Sequence, residues 1–552
     1  MKKILLNMVL LASVATSQAQ NVGVSGFTKL DVNILASTKQ GTVIPTSDGG
    51  YFWSRGLKLS KYNSSNTEDW STTLTGTSFI GYSHQITSIC DDGQGGAIIT
   101  GKVNGTLSFG NDSITPFYTA SGLYTSDAFI ARVNSTGKIW WHRLGEYEGS
   151  APGTDQGIDV KVVGNKVYWL AHVTGRNFKF GSTNYPLSDY GNNVSILAEF
   201  DMDGTNNWVV ATKGGGCVPS YLIAQSNQVA FAAYSLGSST AINFGNSKTL
   251  SYNQASFFIV KFNTSGLAQW AVTYDDDNSA ANLYGLTADD DGDFYACGMA
   301  SNFTSSYGIK KGQGYLVKIN GTDGTAAWTR VLSKVTGSAN VLHGPLLGVQ
   351  FVNGKVYVCG NTNGNLYLQS SATDSVEVKK SSNLLPSEQF VAQYEKTGTL
   401  ASLVKANGGT AGGTMEHMVQ SNNNLIGVGV FSTNIEFGSH TMPATGANVG
   451  AYFLGFYSIN TGSSSTGLIS NVNQNQSLSV YPNPTSNVII INQMFSKPFE
   501  AVLYNIEGKV VLKETLLPNN LNQLDLKDII PGVYYLKAKD NNEVFTQKVI
   551  KQ

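Results

Sequence analysis

The chain has 552 residues and a formal charge of -1, from 36 Lys and Arg against 37 Asp and Glu. Only 13% of residues are charged while 41% are hydrophobic and 11% aromatic, with 60 Gly and 13 Pro. This excludes a disordered chain, which needs low hydrophobicity and high charge, and a nucleic-acid binder, which needs a clustered basic excess. Abundant Gly, Tyr and Phe with few helix formers point to a large all-β protein.

Residues 1–19 read as a signal peptide. Lys2 and Lys3 precede the apolar run Ile4 to Ala15, and Ser17-Gln18-Ala19 is a small-x-small site, so cleavage falls between Ala19 and Gln20. The run is shorter than the ~18 apolar residues a membrane span needs, and no later segment reaches that length. No transmembrane segment is expected. The first cysteine is Cys90, so a lipid-anchored cysteine is not expected at the mature start.

Residues 20–460 carry a repeat of about 66 residues. A strand ends in an Asx residue, a turn follows, and Trp comes four residues after the turn residue. The copies are Leu57 to Asn63 with Asn66 and Trp70, Phe129 to Asn134 with Gly137 and Trp141, Leu197 to Asp201 with Gly204 and Trp208, Phe258 to Asn263 with Gly266 and Trp270, and Leu316 to Asn320 with Gly324 and Trp328. A sixth, Phe390 to Glu395 with Gly398, has Ser402 in place of Trp; a seventh, Phe453 to Asn460, stops at Gly462. Gly accepts φ > 0 without steric cost and Asn tolerates it best among other residues, so the unit is a hairpin of fixed turn geometry.

A second hairpin alternates with the first, with turns at Asp48-Gly49, Asp92-Gly93, Gly164-Asn165, Asn227-Gln228, Asp291-Gly292, Asn353-Gly354 and Asn422-Asn423. Two hairpins per repeat give four strands, and seven such units fit a seven-bladed β-propeller. The repeat exceeds the ~40–50 residues of compact blades. The excess is expected in loops after the second strand, such as Asn111 to Ser126. The seventh repeat lacks a fourth strand, which the segment around Val22 to Ile34 is expected to supply. This Asx-x-x-Gly-x-x-x-Trp pattern resembles secreted bacterial proteins built from propeller-type repeats, and the resemblance implies architecture without implying a ligand.

One Trp per repeat predicts packing between blades rather than a sugar platform, which needs aromatics on one loop face. Trp53, Trp140 and Trp169 lie outside the repeated position and are the candidates for exposed contact. Cys297 and Cys359 follow Tyr-Ala and Tyr-Val at equivalent positions and read as small buried side chains. Without a CxxC pair a zinc knuckle is excluded, and the pairing of Cys90, Cys217, Cys297 and Cys359 stays open.

No His-Glu-x-x-His, Gly-x-Ser-x-Gly or phosphate-binding Gly-x-x-x-x-Gly-Lys motif occurs. His343 and His417 each stand just before a repeat's first strand and are candidates for facing the channel. Asp289-Asp-Asp291-Gly292-Asp293 superficially fits calcium, but Gly comes too early for an EF-hand loop and turn chemistry explains the run. Asp275 to Asp277 and Asp201-x-Asp203 are weaker calcium candidates. No catalytic, cofactor or metal residue is assigned. The expected function is a binding scaffold for glycan or protein, with an extracellular hydrolase or lyase acting on polysaccharide or peptide as the alternative.

Residues 461–477 read as a polar linker. Residues 478–552 change pattern to seven short strands, which suits a small β-sandwich of Ig-like type. Val480-Tyr-Pro-Asn-Pro484, Leu503-Tyr-Asn-Ile-Glu-Gly508-Lys-Val-Val511 and Pro531-Gly-Val-Tyr-Tyr-Leu536, with basic Lys548 and Lys551, resemble the type A C-terminal sorting domain of the type IX secretion system. The resemblance implies a sorting signal on Tyr481, Pro482, Asn483, Pro484, Tyr504, Asn505, Gly508, Gly532, Tyr534 and Lys548. It also implies handling by the secretion machinery and a surface sortase, and a secreted or outer-surface destination. Asp112-Ser113-Ile114 and Asp374-Ser375-Val376 resemble the O-glycosylation acceptors of bacteria with this export route.

Overall fold

The computed structural model describes residues 22–30, 42–459 and 480–552, excluding within them Gly56, Asn66, 77–83, 110–111, 115–125, 148–154, 175–176, 181–182, 187–192, 237–240, 252–256, 274–280, 301–308, 310–311, 335–343, 363–365, 379–387, 406, 409–412, 422–423, 432–434, 438–439, 443–450, Pro482, 492–498, 506–508, 518–521 and 540–543. The expected signal peptide, its cut and the linker lie outside the described residues. The described elements are all β-strand, and the chain divides into two compact units, Met1–Ser464 and Ser465–Gln552.

Among the described residues the larger unit holds seven antiparallel four-strand units, of which the second and fifth are extended to six strands by an added hairpin. Sheet one is Thr42–Pro45, Tyr51–Arg55, Lys58–Tyr62 and Glu68–Thr73. Sheets two to six begin with the first strands Gln85–Asp91, Gln156–Val163, Cys217–Gln225, Ala281–Ala288 and Leu346–Val352. Sheet seven runs Gly413–Ser421, Asn424–Phe431, Ala451–Ile459 and then Val22–Leu30, which pairs antiparallel with Ala451–Ile459 from Val22↔Ile459 to Leu30↔Tyr452. Each first strand lies against the first strand of the next sheet, and Gly413–Ser421 touches both Leu346–Val352 and Thr42–Pro45, so the order is cyclic.

The second strand of sheet three is covered on both faces over most of its length. This is why Val167 to Ala171 reads as a continuous apolar run and is buried throughout. The hairpin between third and fourth strands carries a register shift in sheets one to six. In sheet two it falls between Arg132↔Trp141 and Val133↔Ile139. The extra residue is what sets the Trp spacing seen in the sequence. The innermost strands of sheets two to seven carry a second shift, at Thr87, Ile158, Ser220, Tyr284, Leu347 and Glu416.

The long repeat is explained by a clasp. In sheets two, three, four, six and seven the connection between second and third strands contains a short hairpin that pairs with the outermost strand of the preceding sheet or its continuation. Leu107–Phe109 pairs with Thr75–Gly76, Asn177–Phe180 with Ile139–Tyr147, Ile242–Asn243 with Lys213–Gly214, Leu366–Gln369 with Ala326–Lys334, and Ile435–Phe437 with Asn407–Gly408. Each clasp occupies backbone groups that an open sheet edge would leave unpaired.

The smaller unit has a three-stranded sheet, Val480–Tyr481, Val488–Ile491 and Asn522–Asp525, and a four-stranded one ordered Val510–Leu516, Phe499–Asn505, Gly532–Lys539, Val544–Lys551. Ile489, Ile491, Leu503, Leu524, Leu526, Leu536 and Val549 form its core.

Candidate functional site

The repeated tryptophans meet the turn of the following sheet. An ideal Cβ on Gly204, whose φ is 84°, lies 2.7 Å from the Trp141 ring, so this turn needs glycine for its backbone and for its neighbour. Gly137, Gly266, Gly324 and Gly398 sit likewise on Trp70, Trp208, Trp270 and Trp328. Indole N–H groups donate across the junction: Trp141 to Met202 O at 2.8 Å, Trp208 to Thr264 O at 3.2 Å, Trp270 to Gly321 O at 3.0 Å and Trp328 to Lys396 O at 2.9 Å. Trp70 Nε1 is buried without an acceptor among the described residues. Of the other three, Trp140 is 58% exposed and lies against the Arg132 guanidinium, while Trp53 is half-buried. Trp169 corrects the expectation of exposure. It is fully buried in the covered second strand, and its indole donates to Thr100 Oγ1 of sheet two at 2.7 Å.

Charge is handled at the same junctions. Arg132 and Asp92 form a buried pair at 2.9 Å, and Arg132 also donates to Met202 O in sheet three. The carboxylates of Asp289, Asp290 and Asp291 converge within 4.8 Å, but lysines reach them. Lys396 donates to Asp290 and, at 2.6 Å, to Asp291. Lys318 lies 2.9 Å from Asp293 and 3.7 Å from Asp289. Asp289 itself is an Asx turn, accepting the N–H groups of Asp291 and Asp293. Desolvation opposes the Lys396 charge, yet its hydrogen bonds to Asp290 and Asp291 push its ammonium up. Asp201 pairs with Lys166 at 2.7 Å, and Asp203 accepts Thr205 N–H. Asp275 to Asp277 and His343 lie outside the described residues. His417 corrects the expectation that it precedes a first strand: it lies within the innermost strand of sheet seven, because that strand already begins at Gly413.

The two ends of the larger unit differ. Turns between first and second and between third and fourth strands span six residues or fewer. The longer connections leave the other strand ends, bracketed by Val103 and Asp127, Thr174 and Asn193, Ser235 and Phe257, Ala300 and Gly314, Thr362 and Glu388, and Phe431 and Ala451. Near this end Asp155 is wholly buried and accepts Thr174 N–H at 2.7 Å, while its Oδ2 has no partner among the described residues. Burial, aided by nearby Asp127, pushes its carboxyl well up. His84 holds the equivalent place before sheet two and accepts Asn104 N–H at 3.2 Å, so the position caps the end of the second strand. All four cysteines are free. Burial pushes the Cys90 thiol up to about 11 and Cys359 up to about 12, which removes the thiolate that reactivity needs.

In the smaller unit, motif blocks distant in sequence meet. Asn483 clamps the last strand by donating to Lys548 O at 2.6 Å and accepting Ile550 N–H at 2.8 Å. Thr485 extends the clamp, donating its N–H to Ile550 O and accepting that of Gln552. Asn505 forms the Asx turn of the second block, accepting Lys509 N–H at 2.9 Å. It lies opposite Tyr534, as Tyr504 lies opposite Tyr535, and Gly532 opposite Lys551. Tyr534 is buried and donates to Ile530 O at 2.7 Å. Tyr481 and Pro484 flank the clamp; Pro482 and Gly508 lie outside the described residues. Sequence reasoning did not find the Thr485 contact, because a single Thr after a Pro carries no periodic signal.

Residues 479–552 match the family model of the secretion system C-terminal sorting domain. No curated protein matches the chain. Among solved structures, a protein of unknown function from Bacteroides caccae is 9% identical, covering 66% of this chain and 95% of its own, with a TM-score of 0.30. A quinohemoprotein alcohol dehydrogenase from Pseudomonas putida HK5 is 9% identical, with coverages of 79% and 68% and a TM-score of 0.32. Drosophila Semaphorin 1b is 9% identical, with coverages of 80% and 88% and a TM-score of 0.28. At these scores the likenesses carry no argument. The sorting-domain match puts the protein on the type IX export route, secreted or at the cell surface. Among the described residues no helix is long and apolar enough to cross a membrane.

Proposed function

We propose that residues 22–459 form a seven-bladed β-propeller that binds a glycan or protein outside the cell, and that residues 480–552 are a sorting module removed by a surface sortase after export. The cyclic contact of seven first strands supports the ring. The observation that carries the binding reading is the segregation of connections. Turns between first and second and between third and fourth strands are all short, and every long connection leaves the other strand ends, where only sheet one is joined tightly, so that end is free to vary while the sheets hold it rigid. No metal is assigned to Asp289 to Asp291, where Lys396 and Lys318 meet the charge.

One observation favours a hydrolase instead: Asp127 and Asp155 are neighbouring carboxyls near the loop-bearing end, one with a raised pKa. Both are buried, at 1% and 0% exposure, and Asp155 spends one oxygen capping Thr174. A structural role therefore accounts for them. The purified protein is screened on a glycan array and for polysaccharide hydrolysis. Saturable binding without turnover is expected; turnover abolished by Asp155→Asn would replace the binding reading with the enzymatic one.

A further inference from the structure

The four-stranded sheet of the smaller unit has one face on the core and one in solvent. Leu503, Leu536 and Val549 point inward. The register then sets an outward row straight across the sheet: Val510↔Tyr504↔Tyr535↔Lys548. Val510 is 46% and Tyr535 44% exposed, and Tyr504 is half-buried between them. A soluble sheet ordinarily places polar residues on this face. Here two tyrosines stand directly opposite one another, with Val533 and Ile550 partly exposed alongside.

Among the described residues the charge on that face is mainly positive. The next row carries Lys513, Val502 and Lys537. Among the described residues its single acid is Glu500, already 2.6 Å from Lys513. Lys537 and Lys548 are exposed and form no ion pair among the described residues. An apolar aromatic centre with a cationic rim is the composition of a protein-docking surface: aromatic anchors desolvate at the centre while rim charges select and steer the partner.

We infer that this outward face, centred on Tyr504 and Tyr535 and rimmed by Lys537 and Lys548, docks on an acidic protein surface of the export machinery. The inference rests on the export reading, which supplies a protein partner for a sorting domain; the positive rim gives that partner's sign.

The test expresses the full chain in a bacterium with the type IX system and measures extracellular against periplasmic protein. The variants are Lys537→Glu with Lys548→Glu, Tyr504→Ser with Tyr535→Ser, and Lys527→Glu, which reverses an exposed charge in the turn after the other sheet. The two face variants are expected to lower extracellular protein about tenfold or more while melting like the parent, and Lys527→Glu to export normally. Parental export of both face variants overturns the inference, as does an equal loss with Lys527→Glu. Binding of the parent, but not the lysine variant, to anionic lipid vesicles with export unchanged also overturns it, in favour of a membrane partner. Deleting 480–552 separates the two claims: export that survives the deletion strikes the export reading itself, whereas export that needs 480–552 but tolerates both face variants strikes the docking face alone.

Discussion

Sheets one to five and sheets six and seven solve the same packing problem differently. In the first group each outer hairpin delivers an indole beneath the next turn glycine. In sheet six that place holds Ser402, whose hydroxyl donates to Gln393 at 2.9 Å, and sheet seven has no Trp and takes its outermost strand from the chain's N-terminal side. The clasp hairpins differ as well. Sheet one connects Arg55 to Lys58 too tightly to hold one, so no clasp reaches back to sheet seven. The junctions built from one continuous stretch are locked by side chains. The closing junction is locked by a backbone ladder between the two ends of the larger unit.

That contrast predicts where damage is worst. Deleting Val22–Leu30 removes eight strand partners and exposes the Ala451–Ile459 edge. It should abolish cooperative unfolding of the larger unit or bring aggregation, read by calorimetry and limited proteolysis. A truncated protein that melts in one transition at the parental temperature would remove the special status of the closing sheet.

The next effect sharpens the comparison within sheets one to five. Trp141→Ala and Trp270→Ala should each lower stability by about 3–5 kcal/mol, because both indoles are buried and hydrogen-bonded. Trp141→Phe should lose about 1 kcal/mol for the unmade bond to Met202 O. Trp70→Phe should cost less than Trp141→Phe, since Trp70 Nε1 has no acceptor to lose. Denaturant titration of the three orders them. Gly204→Ala belongs to the same series. It forces a Cβ to within 2.7 Å of Trp141 at a φ of 84°, and should cost more than the ~1 kcal/mol typical of a strained glycine site.

The same contrast explains what the sequence disclosed. Glycine turns and their tryptophans are local, so their spacing survives in the linear chain and implies the hairpins. The segment expected to complete sheet seven was legible because a strand was missing from the last repeat. The clasp hairpins were not, since strands of two to four residues have no periodicity to detect. Trp169 misled because repeat position was taken as the sign of burial, whereas the middle of its second strand, Val167 to Ala171, is buried on both faces. The lysine that meets Asp290 and Asp291 stands more than a hundred residues away at Lys396, a pairing only the fold creates. In the smaller unit the motif blocks were plain, while the clamp of Asn483 on the last strand needed coordinates.

The smallest predicted effect concerns the junction of sheets two and three, where Asp155 sits where sheet two has His84. The wholly buried Asp155 carboxyl titrates well above its ordinary value, chiefly through burial. In the unfolded chain it loses its proton near pH ~3.9. Between that value and the raised folded one, the folded state binds the extra proton, so stability falls as pH rises through the window. Asp155→Asn keeps an oxygen to accept Thr174 N–H and removes the titration. The variant should melt like the parent near pH 4 and progressively above it toward neutral and alkaline pH, with a flatter dependence. Melting curves from pH 4 to 9 read this directly. Parallel curves for the two proteins would mean that Asp155 keeps its charge in the fold, and that its unpartnered oxygen is met by something other than a proton.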